Sequence, residues 1–302
     1  MKEQTKSLRE YVMIFRDRKI SSGGVDVKIL ETHLMGKSQN HHVCEDLITV
    51  SSDFVAVFDG VSSKSGIRYD GKTTGYIAVE LMSTALKCVP PTANAAECFR
   101  SINRSVYSWY EREGLLEDVK NNPRNRPAAS AAIYSRTYNQ VWVLGDSQVF
   151  FNSKRYTFPL KIDEFYVDMR MKAIEYLKAI GKTTEELLQD DTSAAVLRPL
   201  FEMQPYLQNS KSRNEYSYSI LDGFEFCETD IHVLQIPSGT KEVSLATDGY
   251  PMIFGSLKES EDYLERVIQD DPLCCDIFKH IKGVYIGQDS FDDRAYVRFS
   301  ID

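Results

Sequence analysis

Phe54-Val55-Ala56-Val57-Phe58-Asp59-Gly60 sets the architecture that we expect for this chain of 302 residues. Consecutive side chains of a strand point to opposite faces, and this run is apolar on both, so it predicts a strand buried on its two sides. A similar run at 47–50 precedes it, and Ser51-Ser52-Asp53 between the two runs predicts a hairpin turn. Burial on both faces requires a second sheet on one side of the strand and helices on the other.

Outward from this hairpin, the sequence predicts further strands in hairpins and helices in pairs. Period-two patterns predict a three-stranded meander at 129–136, 141–144 and 148–152, and later strands at 216–221, 231–236, 242–246 and 294–299. Helical periodicity covers 73–88, 92–113, 163–180, 184–190, 258–269 and 273–281. Because regular β-α-β alternation is lacking, we expect an α+β sandwich of antiparallel sheets flanked by helices. We expect one domain over 1–302, with residues 1–20 as an N-terminal helix or extension.

Composition excludes several classes of protein. The 36 basic and 44 acidic residues are well mixed and give a net charge of −8, which argues against a nucleic-acid partner. No apolar run is long enough to span a bilayer, and the first residues lack the core of a signal peptide, so no membrane association is expected. The six cysteines form no C-x-x-C pair, which disfavours disulfides and zinc and favours a reducing cytoplasm.

Acidic residues flank the first hairpin. A turn centred near Ser52 would place Glu45 opposite Asp59 and Asp46 opposite Phe58. Like charges that face each other across a strand pair are destabilising, and a hard divalent cation such as Mg²⁺ or Mn²⁺ would compensate them. An equally good interpretation is that these acids lie at a solvated hairpin end.

Three more acids occur at predicted strand ends: Asp146 within Gly145-Asp146-Ser147, Asp248 before Gly249, and Asp292 followed by Asp293. Each one alone is typical of an ordinary turn, since aspartate and glycine favour turns for backbone reasons. Taken in order with Glu45-Asp46 and Asp59-Gly60, they resemble the motifs of the type 2C family of metal-dependent serine/threonine protein phosphatases. The resemblance extends over residues 25–300.

The resemblance implies a four-layer α-β-β-α sandwich and a binuclear Mn²⁺ or Mg²⁺ site. It implies that Asp59 bridges two metals, that Glu45 and the Gly60 carbonyl serve one, and that Asp248 and Asp292 serve the other. Asp46 would hold a water bound by a metal, and Asp146 would help to bind a third, weaker metal. Two such cations activate water directly, so no protein nucleophile is required. The implied substrate is a protein that carries phosphoserine or phosphothreonine, and a monomer is expected.

The chain departs from the family at several positions. Val61-Ser62-Ser63 stands where the family has His-Gly-Gly, and valine cannot protonate a leaving group. His41 stands where a family arginine pairs with substrate phosphate, and Lys64 and Arg68 are alternative candidates for this task. Met252 replaces an acid, which makes a third metal doubtful. These departures keep open an alternative function, a weakly active or inactive module that binds phosphoproteins or regulates a partner.

Two other patterns carry less weight. Cys98 and Arg104 have the Cys-x₅-Arg spacing of cysteine-dependent phosphatases, but they lie in a helical stripe that lacks the phosphate-cradling loop. His41 and His42 are adjacent, and neighbouring side chains of a strand point to opposite faces, so joint metal binding is disfavoured.

Overall fold

A computed structural model describes residues 27–38, 44–63, 65–189 and 192–301 of the chain. The expected N-terminal helix or extension at 1–20, His41, His42 and Lys64 lie outside these residues. The described strands are β1 (Val27–Met35), β2 (Leu47–Val50), β3 (Phe54–Gly60), β4 (Arg68–Tyr69), β5 (Lys72–Thr73), β6 (Ala129–Ser135), β7 (Gln140–Leu144), β8 (Gln148–Phe151), β9 (Lys154–Tyr156), β10 (His232–Gln235), β11 (Glu242–Ala246) and β12 (Arg294–Ile301). The described α-helices are α1 (Thr74–Leu86), α2 (Ala95–Glu113), α3 (Leu116–Asn121), α4 (Lys161–Ala179), α5 (Thr184–Gln189), α6 (Thr192–Met203) and α7 (Leu257–Asp270).

Ten of these strands form two five-stranded antiparallel sheets. Sheet I has the order β10-β7-β6-β3-β2, and sheet II has the order β1-β12-β11-β8-β9. Strands β4 and β5 form a separate two-stranded ribbon. The α+β class with two antiparallel sheets is therefore confirmed. None of the helices in the described ranges is long and apolar enough to cross a membrane.

Strand β3 is buried on both faces, as its composition predicts. Val55 and Val57 pack in the layer between the sheets, where they join Leu245 and Val297 of sheet II. The opposite face of β3 packs against α1 and α2, where Phe58 joins a second apolar cluster. Helix α7 covers the outer face of sheet II through a third cluster. The layers therefore follow the order α-β-β-α.

Helix α2 begins and ends at residues whose side chains or backbone satisfy its free polar groups. Asn94 Oδ1 accepts a hydrogen bond from the Glu97 amide at 3.0 Å, and Glu97 Oε2 accepts one from the Asn94 amide at 2.9 Å. This reciprocal pair is a capping box, which satisfies two amides that have no partner within the helix. The helix ends at Gly114, whose φ of 70° is in the left-handed region that glycine adopts without strain.

The register of the first hairpin differs from our expectation by one residue. Leu47 pairs with Phe58 and Val50 with Val55, so partner numbers sum to 105 and not to 104. Ser51 shifts the turn, because its amide donates to the Phe54 carbonyl at 2.8 Å while its hydroxyl accepts from the Phe54 amide at 3.0 Å. The predicted pairing of Glu45 with Asp59 and of Asp46 with Phe58 is wrong. A one-residue slip reverses the face of every side chain, and Glu45 lies before the strand begins.

The predicted three-stranded meander is also wrong. Strands β6 and β7 pair within sheet I, but β8 pairs with β11 and β9 in sheet II. The chain crosses between the sheets at Gly145, whose φ is 102° and whose Cα lies so close to Ser130 that a Cβ there would be 2.2 Å from the serine Cβ. Asp146 therefore lies in a crossing between two sheets and not in a hairpin turn.

Two predicted elements do not form. Residues 216–221 make only isolated bridges, Tyr218 with Gln208 and Leu221 with Ala129. Residues 273–281 form a loop in place of a helix, because the Asp271 carboxylate accepts hydrogen bonds from backbone amides of the segment that follows it. An aspartate that captures amides in this way competes with the helical hydrogen bonds.

Candidate active site

A cleft of about 650 Å³ lies where ends of the two sheets meet. Asp59 lies near the end of β3, Asp146 between β7 and β8, Asp248 just after β11, and Asp292 just before β12. Because β12 runs antiparallel to β11, the end of one strand and the start of the other lie at the same edge of sheet II. The structure thus brings these four acids, which are far apart in sequence, to one cleft. The lining also includes other residues named from the sequence, among them Asp46, Gly60 and Val61, whereas Glu45 is not part of it.

Four acids of the cleft resist ionisation, namely Asp46, Asp59, Asp146 and Asp248. Burial raises the pKa of Asp59 well above its usual range, and the carboxylates of Asp248 and Asp46 add to the effect. Burial raises the pKa of Asp248 to about 7, with contributions from Asp146 and Asp292, and that of Asp146 to about 6. Close carboxylates with little solvent around them are most stable with protons or a cation between them. The cleft therefore favours a positively charged occupant.

Asp46 is held in one orientation. Its Oδ2 accepts a hydrogen bond from the Thr247 hydroxyl at 2.7 Å, and the same hydroxyl oxygen accepts the Ala295 amide at 2.8 Å. Burial is the main reason why the pKa of Asp46 is raised well above its usual range. A fixed carboxylate with a raised pKa is suited to accept a proton from a water molecule.

Glu45 does not line the cleft but lies next to two residues that do, Gly60 and Ser62, and it offers a free oxygen there. Glu45 is buried, with 6% of its surface exposed, and its Oε1 has no hydrogen-bond partner among the described residues. Its Oε2 accepts a hydrogen bond from the Ser62 hydroxyl. A Cβ on Gly75 of α1 would lie 2.9 Å from both Glu45 Oε1 and the Gly60 carbonyl oxygen, so these two oxygens flank the same glycine. A buried carboxylate oxygen and a carbonyl oxygen are ligands that hard divalent cations prefer, and this side fits such an ion.

The Asp292 side is different because each carboxylate oxygen of Asp292 faces a lysine. Lys37 Nζ lies 3.1 Å from Oδ1, and Lys282 Nζ pairs with Oδ2. Burial opposes ionisation of Asp292, but Lys282 and Lys37 hold the pKa of Asp292 well below its usual range. Neither lysine belongs to a motif, so no pattern in the sequence indicates their position beside Asp292.

Asp293 has a positioning role in the structure. Its Oδ1 accepts the Lys37 amide at 2.8 Å, and its Oδ2 accepts the Glu45 amide at 2.7 Å. A Cβ on Gly249 would lie 1.9 Å from the Asp293 carbonyl oxygen, so only glycine fits after Asp248. Asp293 therefore joins the backbone that carries Glu45 to the start of β12.

The predicted ligands are not drawn into one tight cluster. Among the described residues, three acid, cysteine or histidine ligand atoms lie within 4.8 Å of one another only in the group Asp271, Cys275 and Asp276. That group organises a loop, since the Asp271 carboxylate already accepts amide hydrogen bonds from Cys275 and Asp276. The carboxyl groups of Asp59 and Asp248 lie within hydrogen-bonding reach of each other, and among the described residues no third acid ligand atom lies within 4.8 Å of both.

Val61 lines the cleft and packs against an apolar cluster that includes Ile162 and Tyr218. Its side chain has no proton to donate. Arg155 also lines the cleft and is a cation that our sequence analysis missed; its guanidinium donates to the Pro251 carbonyl at 3.3 Å. The cysteine-phosphatase pattern has no site, because Cys98 is fully buried in the core and burial raises the pKa of its thiol to about 12.

No protein-family model and no curated protein matches the sequence. Among solved structures, the serine/threonine phosphatase PstP/Ppp of Mycobacterium tuberculosis is 15% identical over 92% of this chain and 99% of its own, with a TM-score of 0.47. The catalytic domain of PstP in complex with two manganese ions is 14% identical over 93% of this chain and 100% of its own, also at 0.47. The serine/threonine phosphatase Stp1 of Staphylococcus aureus is 12% identical over 95% of this chain and 98% of its own, at 0.44.

Identities of 15% or less and TM-scores below 0.5 do not reveal which side chains act, so the function has to be argued from the cleft itself. What these comparisons report is a similarity between this chain and the structures of these phosphatases.

Proposed function

We propose that this chain hydrolyses phosphoserine and phosphothreonine on proteins with the help of a divalent cation, Mn²⁺ or Mg²⁺. The observation that carries the proposal is Glu45 Oε1, a buried carboxylate oxygen without a partner among the described residues, beside the Gly60 carbonyl oxygen. Burying a carboxylate oxygen without a partner is costly unless a ligand completes the site. Glu45, Gly60 and Asp59 are the residues that would hold the cation.

A divalent cation at this place would polarise a phosphoryl oxygen and make water a better nucleophile near neutral pH. Asp46 supplies the base in our proposal, because the Thr247 hydroxyl orients one of its carboxylate oxygens and the residue lines the cleft in which water would attack. Arg155 supplies positive charge in the same cleft, where a guanidinium can pair with phosphate oxygens.

The experiment is hydrolysis of a phosphothreonine peptide with Mn²⁺ and with EDTA, by wild type and by Asp59→Asn. Loss of a cation-binding carboxylate removes several kcal/mol of transition-state stabilisation, so kcat/KM should fall on the order of 10³-fold. Asp262→Asn is the matched control, because Asp262 is an exposed acid of α7 that pairs with Lys258. The activity of this variant should equal that of wild type. Hydrolysis that persists in EDTA or in Asp59→Asn would refute the proposal.

A second candidate function is favoured by Lys37 and Lys282, which occupy both oxygens of an expected metal ligand. With that ligand unavailable to a metal, the chain would act as a module that binds phosphoproteins without turning them over. The same peptide distinguishes the two functions, because a binding module would bind it equally well in EDTA and release no phosphate.

A further inference from the structure

Lys282 lies among the acids of the cleft where the family resemblance implies a second metal. Its ammonium group pairs with Asp292 Oδ2, and the charges of Asp248 and Asp59 also act on it. Lys37 occupies the other oxygen of Asp292 at 3.1 Å. Both oxygens of an expected metal ligand therefore already have cationic partners from this chain.

Lys282 lies on a loop whose backbone is ordered by hydrogen bonds. The Asp271 carboxylate organises the start of this loop through amides of Cys275, Asp276 and Ile277. Further along, a side chain of α4 forms hydrogen bonds with the backbone of the loop. The lysine is therefore placed by a structured segment and not by an unconstrained surface turn.

Arg170 of α4 is fully buried and donates to carbonyls on both sides of the loop, at 2.8 Å to Leu273 and 3.0 Å to His280. Gly283, next to Lys282, lies against the same guanidinium; a Cβ there would be 3.0 Å from Arg170 Nη2. Two ring contacts, of Phe278 and His280 with Phe291, join the loop to the residue before Asp292. These contacts fix the distance between Lys282 and Asp292.

An ammonium group and a divalent cation cannot share this place. A lysine supplies one positive charge and three donors, so it neutralises a carboxylate but offers no coordination position to water or phosphate. A divalent cation brought next to two ammonium groups would be repelled by both. On the Glu45 side no lysine contacts the free carboxylate oxygen among the described residues.

We infer that Lys282 is a built-in cation on the Asp292 side of the cleft, and that the site binds one divalent cation, on the Glu45 side, where the family resemblance implies two. The inference rests on the proposed function, because it concerns the cation that this function needs. In this arrangement the metal ion supplies positive charge on the Glu45 side, and Lys282 supplies it on the Asp292 side.

The experiment counts Mn²⁺ bound per chain at saturating free Mn²⁺ by equilibrium dialysis, with electron paramagnetic resonance on the same samples. Wild type should bind one Mn²⁺ and show no dipolar coupling between ions. Lys282→Met frees Asp292 Oδ2 and should bind two, with the coupling expected for ions about 4 Å apart. Lys241→Met is the matched control, since this exposed lysine has the same charge and does not line the cleft, and the variant should bind one Mn²⁺.

The outcomes separate this inference from the proposed function. Two coupled Mn²⁺ in wild type would overturn the inference and leave the proposed function standing. No bound Mn²⁺ in wild type would overturn both. If Lys282→Met does not fold, Lys282→Gln serves in its place, and the count for wild type decides by itself.

Discussion

Two acids that were named from the sequence, Glu45 and Asp292, differ in the partners of their carboxylate oxygens. Glu45 is buried and keeps one oxygen free beside the Gly60 carbonyl, whereas Asp292 has a lysine at each oxygen. Glu45 therefore keeps one oxygen without a partner among the described residues, whereas the charge of Asp292 is already neutralised by two lysines. An acid that matches a sequence motif thus indicates where negative charge is concentrated. Its neighbours determine which cation balances that charge.

The largest effect should come from Gly75→Ala, which acts on the Glu45 side. The new methyl group would lie 2.9 Å from Glu45 Oε1 and 2.8 Å from the Gly60 carbonyl carbon, so backbone or carboxylate must move. Alanine normally stabilises a helix by about 1 kcal/mol relative to glycine, whereas here overpacking should cost about 1–3 kcal/mol. We also expect Mn²⁺ affinity to fall at least about tenfold, near 1.4 kcal/mol.

Urea unfolding and calorimetric titration with Mn²⁺ measure these two changes. Thr84→Ala is the control, because Thr84 is an exposed position on the same helix. A gain in stability for Gly75→Ala, together with unchanged Mn²⁺ affinity, would mean that Glu45 and Gly60 are not close enough to share a cation.

Arg170→Met acts on the other side, through the loop that carries Lys282. It removes the donor to the Leu273 and His280 carbonyls and should lower the free energy of unfolding by about 1–3 kcal/mol. The free Glu45 oxygen is not touched, so affinity for the first Mn²⁺ should stay within about threefold, less than 1 kcal/mol. Denaturant melts and calorimetry test this, with the exposed Arg266→Met as control. A large loss of affinity would show that the two sides are coupled.

A smaller effect concerns pH and the metal-free protein. The folded pKa of Asp248 is about 7 and that of Asp146 about 6, both above the value of about 4 in an unfolded chain. Between pH 4 and 7 the folded state therefore binds more protons than the unfolded state, and stability falls as pH rises through this window. The lowered pKa of Asp292 acts in the opposite sense, but its contribution is lost only as pH falls below about 4.

The melting temperature without metal should therefore be lower at pH 8 than at pH 5, by a few degrees. Asp248→Asn should reduce this difference because it removes one of the acids whose pKa is raised in the folded state. A melting temperature that rises from pH 5 to pH 8 in EDTA would contradict the raised pKa values.

Much of the fold could be predicted because it depends on local pattern. The double-sided burial of β3 follows from its composition alone, and the acids at strand ends were located by their turn contexts. The register of the first hairpin could not be predicted, because one hydrogen-bonded side chain, Ser51, shifts the turn. Likewise Gly145-Asp146-Ser147 has the composition of an ordinary turn, and only the packing of Gly145 against Ser130 makes it a crossing between sheets.

The two lysines that pair with Asp292 could not be predicted from the sequence. Lys37 and Lys282 lie far apart in the chain and meet only at Asp292. Lys282 arrives there on a loop that we expected to be a helix, and its position depends on Arg170, whose hydrophilic side chain is buried in the interior. Such tertiary pairing leaves no periodicity or spacing that a single sequence could reveal.

Calorimetric titration of Glu45→Gln and Asp292→Asn with Mn²⁺ at pH 7.5 tests most directly which of these two acids binds the cation. Both substitutions exchange one buried acid for its amide, so each serves as the control for the other. We predict that Glu45→Gln weakens Mn²⁺ binding at least about tenfold, while Asp292→Asn changes it by less than about threefold, since 1.4 kcal/mol is tenfold in affinity. The reverse order, with Asp292→Asn the more damaging, would show that the metal displaces the lysines and would contradict the account.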